Sequence, residues 1–331
     1  MNENLLLLLD GTAIAYRAFH AVAPLNAPDG TPTNALYGFI HAFRALRAHW
    51  RPAKVVATFD GGKPADRLAL CPAYKGQRKP MDEALRAQLP LIDGYLDSAG
   101  IPHVRLPHEE ADDVLSTLAA RAAAAGKDVR IATSDKDLLQ MVTPRVWCVP
   151  PTREGALLDP AGVVAKLGVA PEQVVAYLAM VGDSADNLPG LPGVGPKTAS
   201  KLLREHGSLA AVREAAAAGK IVPERIARAI REGGNVLSTN EKMMTTKRDL
   251  PGLWETWEAI PLPGAPDGAE EREFCARYGM GHLVREMARD TARADEEAAI
   301  LAEAAAEDAA RAQQAAKRPS RRDDSRQLTL F

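Results

Sequence analysis

One short stretch near the N-terminus, the continuous apolar run Leu5–Leu9, constrains the fold more than any other part of the chain. Such a run is typical of a strand in a parallel sheet whose two faces are both covered by other elements. It is too short to span a membrane, and it follows Glu3 rather than basic residues, so it is a poor signal peptide. The run ends at Asp10, where a helical pattern begins. The sequence therefore predicts an α/β fold built on a buried sheet.

Strand-like and helix-like segments alternate along the first half of the chain. A second buried run, Lys54–Phe59, follows the amphipathic helical pattern of Asn34–Trp50. We expect a central, mainly parallel sheet flanked by helices, and from Asp159 onward an almost entirely helical chain with breaks at Gly233–Asn235 and Leu250–Leu253. The remaining elements of this pattern are the predicted strands Pro102–Leu106, Val129–Thr133 and Arg145–Val149 and the predicted helices Ala13–His20, Leu89–Ala99 and Val114–Ala125.

The composition is that of an ordinary globular protein, with 46% hydrophobic and 25% charged residues in a chain of 331. The formal net charge of −2 argues weakly against a nucleic-acid partner, but a carboxylate-rich metal site can offset basic patches elsewhere. The cysteines Cys71, Cys148 and Cys275 lie far apart and are odd in number. They form neither a zinc-binding pattern nor a disulfide framework, which fits a protein of the reducing cytoplasm.

Acidic residues follow the predicted strands at the points where the strands end. In a parallel sheet these ends open at one edge, so the side chains should lie close together. Such carboxylates repel one another unless cations neutralise them. Oxygen ligands without cysteine or clustered histidine favour Mg²⁺ or Mn²⁺, and two such ions could activate a water and stabilise the leaving oxygen of a phosphodiester. The acidic residues assigned to this edge are Asp10, Asp60, Glu110, Asp112, Asp113, Asp135 and Asp137, to which Asp183 and Asp186 are added.

The stretch 182–199 combines two kinds of chemistry. Near its start, Asp183 and Asp186 are three residues apart, so one helical turn could direct both at one hard cation. Further along, a pair of glycines would let the backbone come close to a bulky group. The free N–H groups at the start of the next helix, together with a lysine, favour binding of an anion. Either feature alone is common in caps and turns, but together they predict a metal-dependent enzyme acting on a nucleic-acid backbone. The residues of the anion-facing feature are Gly193, Gly195, Lys197 and Thr198.

The segment from Gly61 to Leu89 breaks the alternating pattern and carries six basic against three acidic residues. Two interpretations of this basic segment remain open. It is either a solvated loop or a mobile segment that contacts phosphates, with Tyr74 able to stack on a base.

Taken in order, these motifs resemble the 5′-nuclease (flap endonuclease) family, and especially the 5′–3′ exonuclease domain at the N-terminus of bacterial DNA polymerase I. The resemblance extends from about Leu5 to Arg285, and its many ordered motifs make it far more specific than any single one. The matching pieces are Asp10-Gly11, Ala15-Tyr16-Arg17-Ala18-Phe19-His20, residues 30–39, Phe59-Asp60, Arg67, residues 74–78, residues 110–113, residues 134–138 and the stretch 182–199.

The resemblance implies a PIN-like nuclease core over residues 1–175, with a basic arch segment at about 61–90. It further implies a helical helix–three-turn–helix subdomain over residues 176–285 that grips duplex DNA. Within the core, the acidic residues match a two-metal site. Asp10, Asp60, Glu110, Asp112 and Asp113 lie on one side of that site, and Asp135, Asp137, Asp183 and Asp186 lie on the other.

By the same resemblance, Lys75 and Arg78 are catalytic residues of the arch through which the 5′ end passes, and Arg67 and Tyr74 contact DNA. The helix–three-turn–helix element, which in relatives also holds a K⁺ ion, corresponds to Gly193, Gly195, Lys197 and Thr198.

The expected function is that of a structure-specific 5′–3′ exonuclease and 5′-flap endonuclease acting on flaps, nicks and gaps in primer removal and DNA repair. Two alternatives are a PIN-type ribonuclease and a non-catalytic scaffold that binds duplex DNA. The helix–three-turn–helix element argues against the first, and the full carboxylate set argues against the second. No polymerase domain follows, so we expect a stand-alone, monomeric, cytoplasmic and nucleoid-associated nuclease; residues 61–66 depart from the usual family sequence.

The C-terminal region carries separate information. Residues 286–326 are expected to form an Ala-rich helix followed by a flexible charged tail, with Lys317–Arg326 disordered. The last five residues resemble the bacterial sliding-clamp-binding pentapeptide, and a mobile tail would raise the concentration of the nuclease near a clamp on DNA. The residues assigned to the clamp are Gln327, Leu328, Leu330 and Phe331.

Overall fold

The centre of the fold is a parallel sheet made of β1 (Asn2–Asp10), β2 (Pro52–Thr58), β3 (His103–Val104), β4 (Asp128–Ala132) and β5 (Val146–Val149). The strand order is β3-β2-β1-β4-β5, so β1 lies in the middle. The computed structural model describes residues 2–151 and 156–316. The prediction of a central parallel sheet flanked by helices is confirmed, although β3 is shorter than expected.

Helices cover the sheet and continue beyond it as a helical region, where a small hairpin of β6 (Gly182–Asp183) and β7 (Leu188–Pro189) lies between them. Short 3-10 helices span Asp137–Met141, Pro171–Gln173 and Ser184–Asp186. The α-helices are α1 (Gly11–Ala21), α2 (Asn34–Trp50), α3 (Ala65–Leu70), α4 (Glu83–Ser98), α5 (Ala111–Ala124), α6 (Pro160–Leu167), α7 (Val174–Val181), α8 (Pro196–His206), α9 (Leu209–Ala217), α10 (Glu224–Glu232), α11 (Gly234–Met244), α12 (Ala269–Arg277) and α13 (Gly281–Ala316). Helix α13 belongs to a second compact unit, Gly281–Phe331, and the other elements belong to the first, Met1–Met280.

Burial of β1 explains why the sheet forms where the sequence predicts it. Every residue of Leu5–Leu9 is at most 1% exposed. Successive side chains of a strand point to opposite faces, so both faces of the sheet must be covered at β1. Helices α2 and α5 supply some of this cover and pack against β1. Each buried leucine contributes roughly 1.5–3 kcal/mol by leaving water.

The junction between β1 and α1 places the first carboxylate at the sheet edge. The Asp10 side chain caps α1 by accepting a hydrogen bond from the Ala13 N–H at 3.0 Å. A side chain at Gly11 would bring its Cβ within 2.5 Å of the Phe59 ring. Only glycine therefore allows α1 to begin directly after Asp10 and so close to β2.

Two stretches differ from the sequence-based expectation. Helix α4 begins at Glu83, six residues before the predicted start at Leu89, because Asp82 caps it by accepting the N–H of Ala84. The basic segment therefore contains α3 and the start of α4. Residues 245–268 are not helical, and their backbone is instead held by side chains such as Arg121, which donates to the carbonyl oxygen of Leu250 at 2.8 Å.

No single helix among residues 2–151 and 156–316 is both long and apolar enough to cross a membrane; α6 and the helical residues 171–181 pass that test only as a bent pair. The clamp peptide Gln327–Phe331 and the tail Lys317–Arg326 lie outside the described residues.

Replacing Leu8 by alanine tests the importance of β1. Leu8 is fully buried, so Leu8→Ala should lower the free energy of unfolding by about 2–5 kcal/mol through lost transfer energy and a cavity. The matched change Leu25→Ala, at a residue 40% exposed, should cost less than about 0.5 kcal/mol. Urea unfolding measures both, and equal losses would contradict the central position of β1.

Candidate metal centre

The carboxyl ends of β1 and β4 are joined by hydrogen bonds that gather their acidic residues. The Thr133 hydroxyl donates to Asp10 Oδ2 at 2.9 Å and accepts the N–H of Asp135 at 3.0 Å. Asp10 itself is 4% exposed. Thr133 thus ties the Asp10 carboxylate, at the end of β1, to the backbone of Asp135, which follows β4.

Asp60, just beyond β2, brings the start of α5 to the same edge. Its Oδ1 accepts the N–H of Ala111, the first residue of α5, at 2.9 Å. Its own N–H donates to the Thr12 hydroxyl at 2.9 Å, so Asp60 is fixed between α1 and α5. Asp112 follows Ala111 and is carried to the edge with it.

The β6–β7 hairpin brings a further group of carboxylates together. Asp137, Asp183 and Asp186 each offer a carboxylate oxygen, and these oxygens all lie within 4.8 Å of one another. Gly182 makes this possible, because it has a φ of +78° and a Cβ there would lie 2.3 Å from the Gly190 nitrogen.

The electrostatics of this edge reflect its crowding. Burial raises the pKa of Asp10 to about 7, and neighbouring carboxylates add to the rise. Burial and the charge of Asp135 raise the pKa of Asp137 to about 8. The same two causes hold the pKa of Asp112 well above its usual range. The carboxylates therefore resist ionising together in the absence of added positive charge.

The donor set fits divalent cations that prefer oxygen ligands. Asp137 Oδ1 is buried and has no hydrogen-bond partner among the described residues, as expected for an atom kept for a metal. Three carboxylate oxygens within 4.8 Å are spaced to share one ion. Asp137, Asp183 and Asp186 would hold one ion, and the group around Asp10 and Asp135 lies beside them.

Glu110 and Asp113 are engaged differently from the other acidic residues, because Arg67 lies buried between them. Its Nη2 is 2.9 Å from Asp113 Oδ1, and its Nη1 donates to Glu110. Burial alone would raise the pKa of Glu110, but the charges of Lys75 and Arg67 outweigh it and lower that pKa. Asp113 also accepts the N–H of Lys247 at 2.9 Å and is fully buried. This placement differs from the prediction, which put Asp113 among the metal ligands.

Arg67 and Tyr74, which the sequence resemblance assigns to DNA contact, are both buried against carboxylates. Tyr74 is 3% exposed, and its hydroxyl donates to the Glu110 carboxylate at 3.1 Å. Its ring is therefore packed inside the protein in this arrangement. Arg67 is 5% exposed and binds two carboxylates, so its guanidinium does not face solvent.

Lys75 and Arg78 both reach the acidic residues. Lys75 Nζ lies 2.7 Å from Glu110 Oε1 and 3.8 Å from Asp186 Oδ2. Arg78 Nη2 pairs with Asp186 Oδ1. The Lys75 N–H also donates to the Asp186 carbonyl at 3.1 Å, and Gln77 donates to the Ser184 carbonyl at 2.7 Å. This end of the basic segment is docked on the hairpin and is not a free loop.

The residues assigned to duplex binding lie at the start of α8. Gly193 has a φ of +74°, and Gly195 is the N-cap residue, with no atom within 4 Å of an added Cβ. Lys197 is exposed and Thr198 half-buried. The turn thus presents open backbone and one cation to solvent, an arrangement that favours an anionic ligand.

Sequence reasoning missed three residues that organise the site. Thr133 joins β1 to β4, Lys136 places Nζ 3.1 Å from Asp183 Oδ2, and Lys247 contacts Glu109 and Asp113. Only Lys136 had a signal in the sequence, since it stands between two site carboxylates.

The free energy of unfolding, measured in EDTA as a function of pH, tests whether the carboxylates are crowded together. Asp10 and Asp137 have pKa values raised to about 7 and about 8, so each stabilises the fold below its unfolded pKa and loses that contribution as pH rises through the folded value. The free energy of unfolding in urea should therefore fall by about 2 kcal/mol between pH 5 and 8, less than the full linkage value because the groups are coupled.

Asp137→Asn should reduce this fall, and the exposed Asp249→Asn should leave it unchanged. Added Mn²⁺ should remove most of it. A free energy of unfolding that rises with pH in EDTA would contradict the account.

Comparisons with known proteins agree with this architecture. Two family models match the chain, namely the 5′-3′ exonuclease N-terminal resolvase-like domain over residues 5–168 and the 5′-3′ exonuclease C-terminal SAM fold over residues 169–264. A 5′-3′ exonuclease of Aquifex aeolicus is 41% identical over 204 residues, which cover 62% of this chain and 70% of that protein. The thermostable DNA polymerase I of Thermus aquaticus is 37% identical over 290 residues, covering 85% of this chain and 32% of the polymerase. The chain therefore spans about a third of the length of that relative.

Solved structures share the fold at lower identity. The T5 5′-exonuclease with bound zinc ions aligns with a TM-score of 0.60 and 18% identity, covering 86% of this chain and 97% of that chain. The catalytic core of Rad2 in complex with DNA aligns with a TM-score of 0.58 and 17% identity, covering 86% of this chain and 91% of the other. With both domains matched in order, and with an acidic edge on the sheet followed by a helical region, the chain belongs to the 5′–3′ exonuclease family.

Proposed function

We propose that the protein is a structure-specific 5′–3′ exonuclease and 5′-flap endonuclease that hydrolyses DNA phosphodiesters with two divalent ions, Mg²⁺ or Mn²⁺. One observation carries the proposal: oxygens of Asp137, Asp183 and Asp186 lie within 4.8 Å of one another beside the crowded carboxylates of Asp10 and Asp112. Divalent ions bound there stabilise charge on phosphate oxygens and lower the pKa of a bound water.

Lys75 and Arg78 would act on the scissile phosphate. Both cations already touch the acidic edge through Glu110 and Asp186. With Asp186 committed to a divalent ion, Arg78 would be free to turn toward a phosphate, while Lys75 would stay beside the metal centre through its contact with Glu110. A cation placed where negative charge develops favours the transition state over the ground state.

The start of α8 would hold the duplex region of the substrate. The Gly193–Gly195 turn leaves room for a close approach, and with the exposed Lys197 it suits the phosphate backbone, which carries no sequence information. The family resemblance extends the proposal to a K⁺ ion at this turn. Because α8 follows the hairpin closely, a duplex bound there would lie next to Asp183 and Asp186.

The two alternatives fit the site less well. A PIN-type ribonuclease does not need the turn before α8, and a non-catalytic DNA-binding scaffold would be repelled by the acidic edge. We propose DNA with 5′ flaps, nicks or gaps as the substrate, in primer removal and repair. We further propose a monomer that acts in the cytoplasm at the nucleoid.

The C-terminal peptide would bind the bacterial sliding clamp. Gln327, Leu328, Leu330 and Phe331 lie outside the described residues, so the proposal rests on the sequence resemblance. Apolar anchors of this kind dominate small peptide interfaces.

Cleavage of labelled 5′-flap DNA tests the proposed function. Asp135→Asn and Asp183→Asn should each lower kcat by about 10³-fold or more, since each removes a metal ligand. Binding of flap DNA should stay equal or become tighter, because a negative charge leaves the path of the phosphate. Asp249→Asn, which removes the same charge elsewhere on the exposed surface, should cleave as the wild type does.

Unchanged cleavage by both site variants at limiting Mg²⁺ would refute the two-metal assignment. RNA and DNA flaps, each with and without EDTA, separate the nuclease from its alternatives. Preferred cleavage of RNA would favour the ribonuclease, and binding without cleavage would favour the scaffold.

Deleting Gln327–Phe331 should abolish binding to a purified bacterial sliding clamp, measured by calorimetry. Cleavage of a short free flap should not change, because no residue assigned to metal or duplex DNA lies in the peptide. Equal clamp binding by the full-length and truncated proteins would refute the clamp assignment.

A further inference from the structure

We propose that Lys247 is a positioning residue that fastens helix α3 of the basic segment to the acidic start of α5, so that Lys75 is held at the metal centre. The inference deepens the proposed function and rests on it. Lys247 is not among the residues assigned to the site from the sequence, and it lies in the non-helical stretch 245–268.

The contacts of Lys247 join two separate regions of the chain. Its Nζ lies 2.7 Å from Glu109 Oε2 and 3.0 Å from Asp66 Oδ2. Asp66 lies in the first turn of α3, within the basic segment, and Glu109 immediately precedes Glu110. One ammonium group therefore bridges the segment that carries Lys75 to the helix start that carries the site carboxylates.

The backbone of Lys247 continues this connection into the site. Its N–H donates to Asp113, which pairs with Arg67, which in turn pairs with Glu110. Glu110 then holds Lys75 Nζ at 2.7 Å. From Asp113 to Lys75, negative and positive groups alternate along this row of contacts, so a shift at one end leaves a buried charge uncompensated further along.

Residue 247 also lies on the chain that leaves the helical region. Three residues earlier, α11 ends at Met244. Within α11, the Asn240 amide donates to the carbonyl oxygens of Ala179 in α7 and Pro189 in β7, at 3.0 and 2.9 Å. A duplex held by the helical region is thus linked to the basic segment through α11 and Lys247, in addition to the direct link through the hairpin.

The backbone near Lys247 is held independently of its side chain. The Thr246 N–H donates to the buried Gln140 side chain at 3.1 Å, and the Thr117 hydroxyl donates to the Lys247 carbonyl at 3.2 Å. Removing the ammonium group should therefore leave the path of the chain intact. Because the Asp66 side chain is 56% exposed, its ion pair adds little to global stability. Its effect should fall on the placement of α3 and of Lys75, and small errors in placement can lower a rate strongly.

Three variants separate positioning from stability: Lys247→Met, Lys247→Arg and the control Lys242→Met. Lys242 is exposed and, like Lys247, lines a cavity of about 400 Å³, and it forms no ion pair with the residues the structure describes. In Lys247→Met we expect kcat on 5′-flap DNA to fall about tenfold with KM within about twofold, since the duplex contacts at α8 are untouched. Amide hydrogen exchange in residues 61–82 should become faster, while the unfolding midpoint changes little.

Lys247→Arg can still reach both carboxylates and should recover most of the rate and the exchange protection. Lys242→Met should match the wild type in all measurements. Faster amide hydrogen exchange in residues 61–82 of Lys247→Met would support the inference even if the wild type cleaved no flap. In that case only the proposed function would fail. The inference would be overturned if residues 61–82 of Lys247→Met exchanged at the same rate as in the wild type. An equal loss of kcat and of duplex binding would also overturn it.

Discussion

Repulsion among carboxylates held at one edge of the sheet is the constraint on which the rest of the structure depends. The chain holds these groups in place with backbone and hydroxyl groups, such as the Thr133 hydroxyl, which donates to Asp10 and accepts the N–H of Asp135. It offsets their charge with its own cations, of which Lys136 and Arg78 each pair with one carboxylate of the hairpin group. Divalent ions would complete that neutralisation. Burial of β1 on both faces stabilises the sheet that carries these carboxylates.

The same constraint explains how the basic segment is built. Its cations do not form one exposed DNA-binding surface. Arg67 is buried against Glu110 and Asp113, whereas the partly buried Lys75 pairs with Glu110 and the more exposed Arg78 pairs with Asp186. The part of the segment around Arg67 is therefore fixed, and the part that carries Lys75 and Arg78 faces the metal centre. Because ion pairs fix the first part, the second can move when metal and phosphate compete for the same charges.

Much of the fold could be predicted because a few sequence features have only one satisfactory structure. The runs Leu5–Leu9 and Lys54–Phe59 had to form buried strands, and the acidic residues after them had to share one edge. The burial of Arg67 and Tyr74 could not be predicted, since a cation and a tyrosine in a basic loop are usually solvated. Their partner Glu110 is distant in sequence. Residues 245–268 were likewise expected to be largely helical. Their non-helical path could not be predicted, because the side chains that hold their backbone, such as Arg121, lie on the distant helix α5.

Crystals soaked in Mn²⁺ and measured at the manganese absorption edge test the central claim most directly. The account predicts two anomalous peaks at the sheet edge. One should lie among the oxygens of Asp137, Asp183 and Asp186, and the other should lie beside Asp10 and Asp112. Peaks elsewhere on the molecule, or a fully soaked crystal with no peak at this edge, would contradict the claim that these carboxylates are gathered to hold metal.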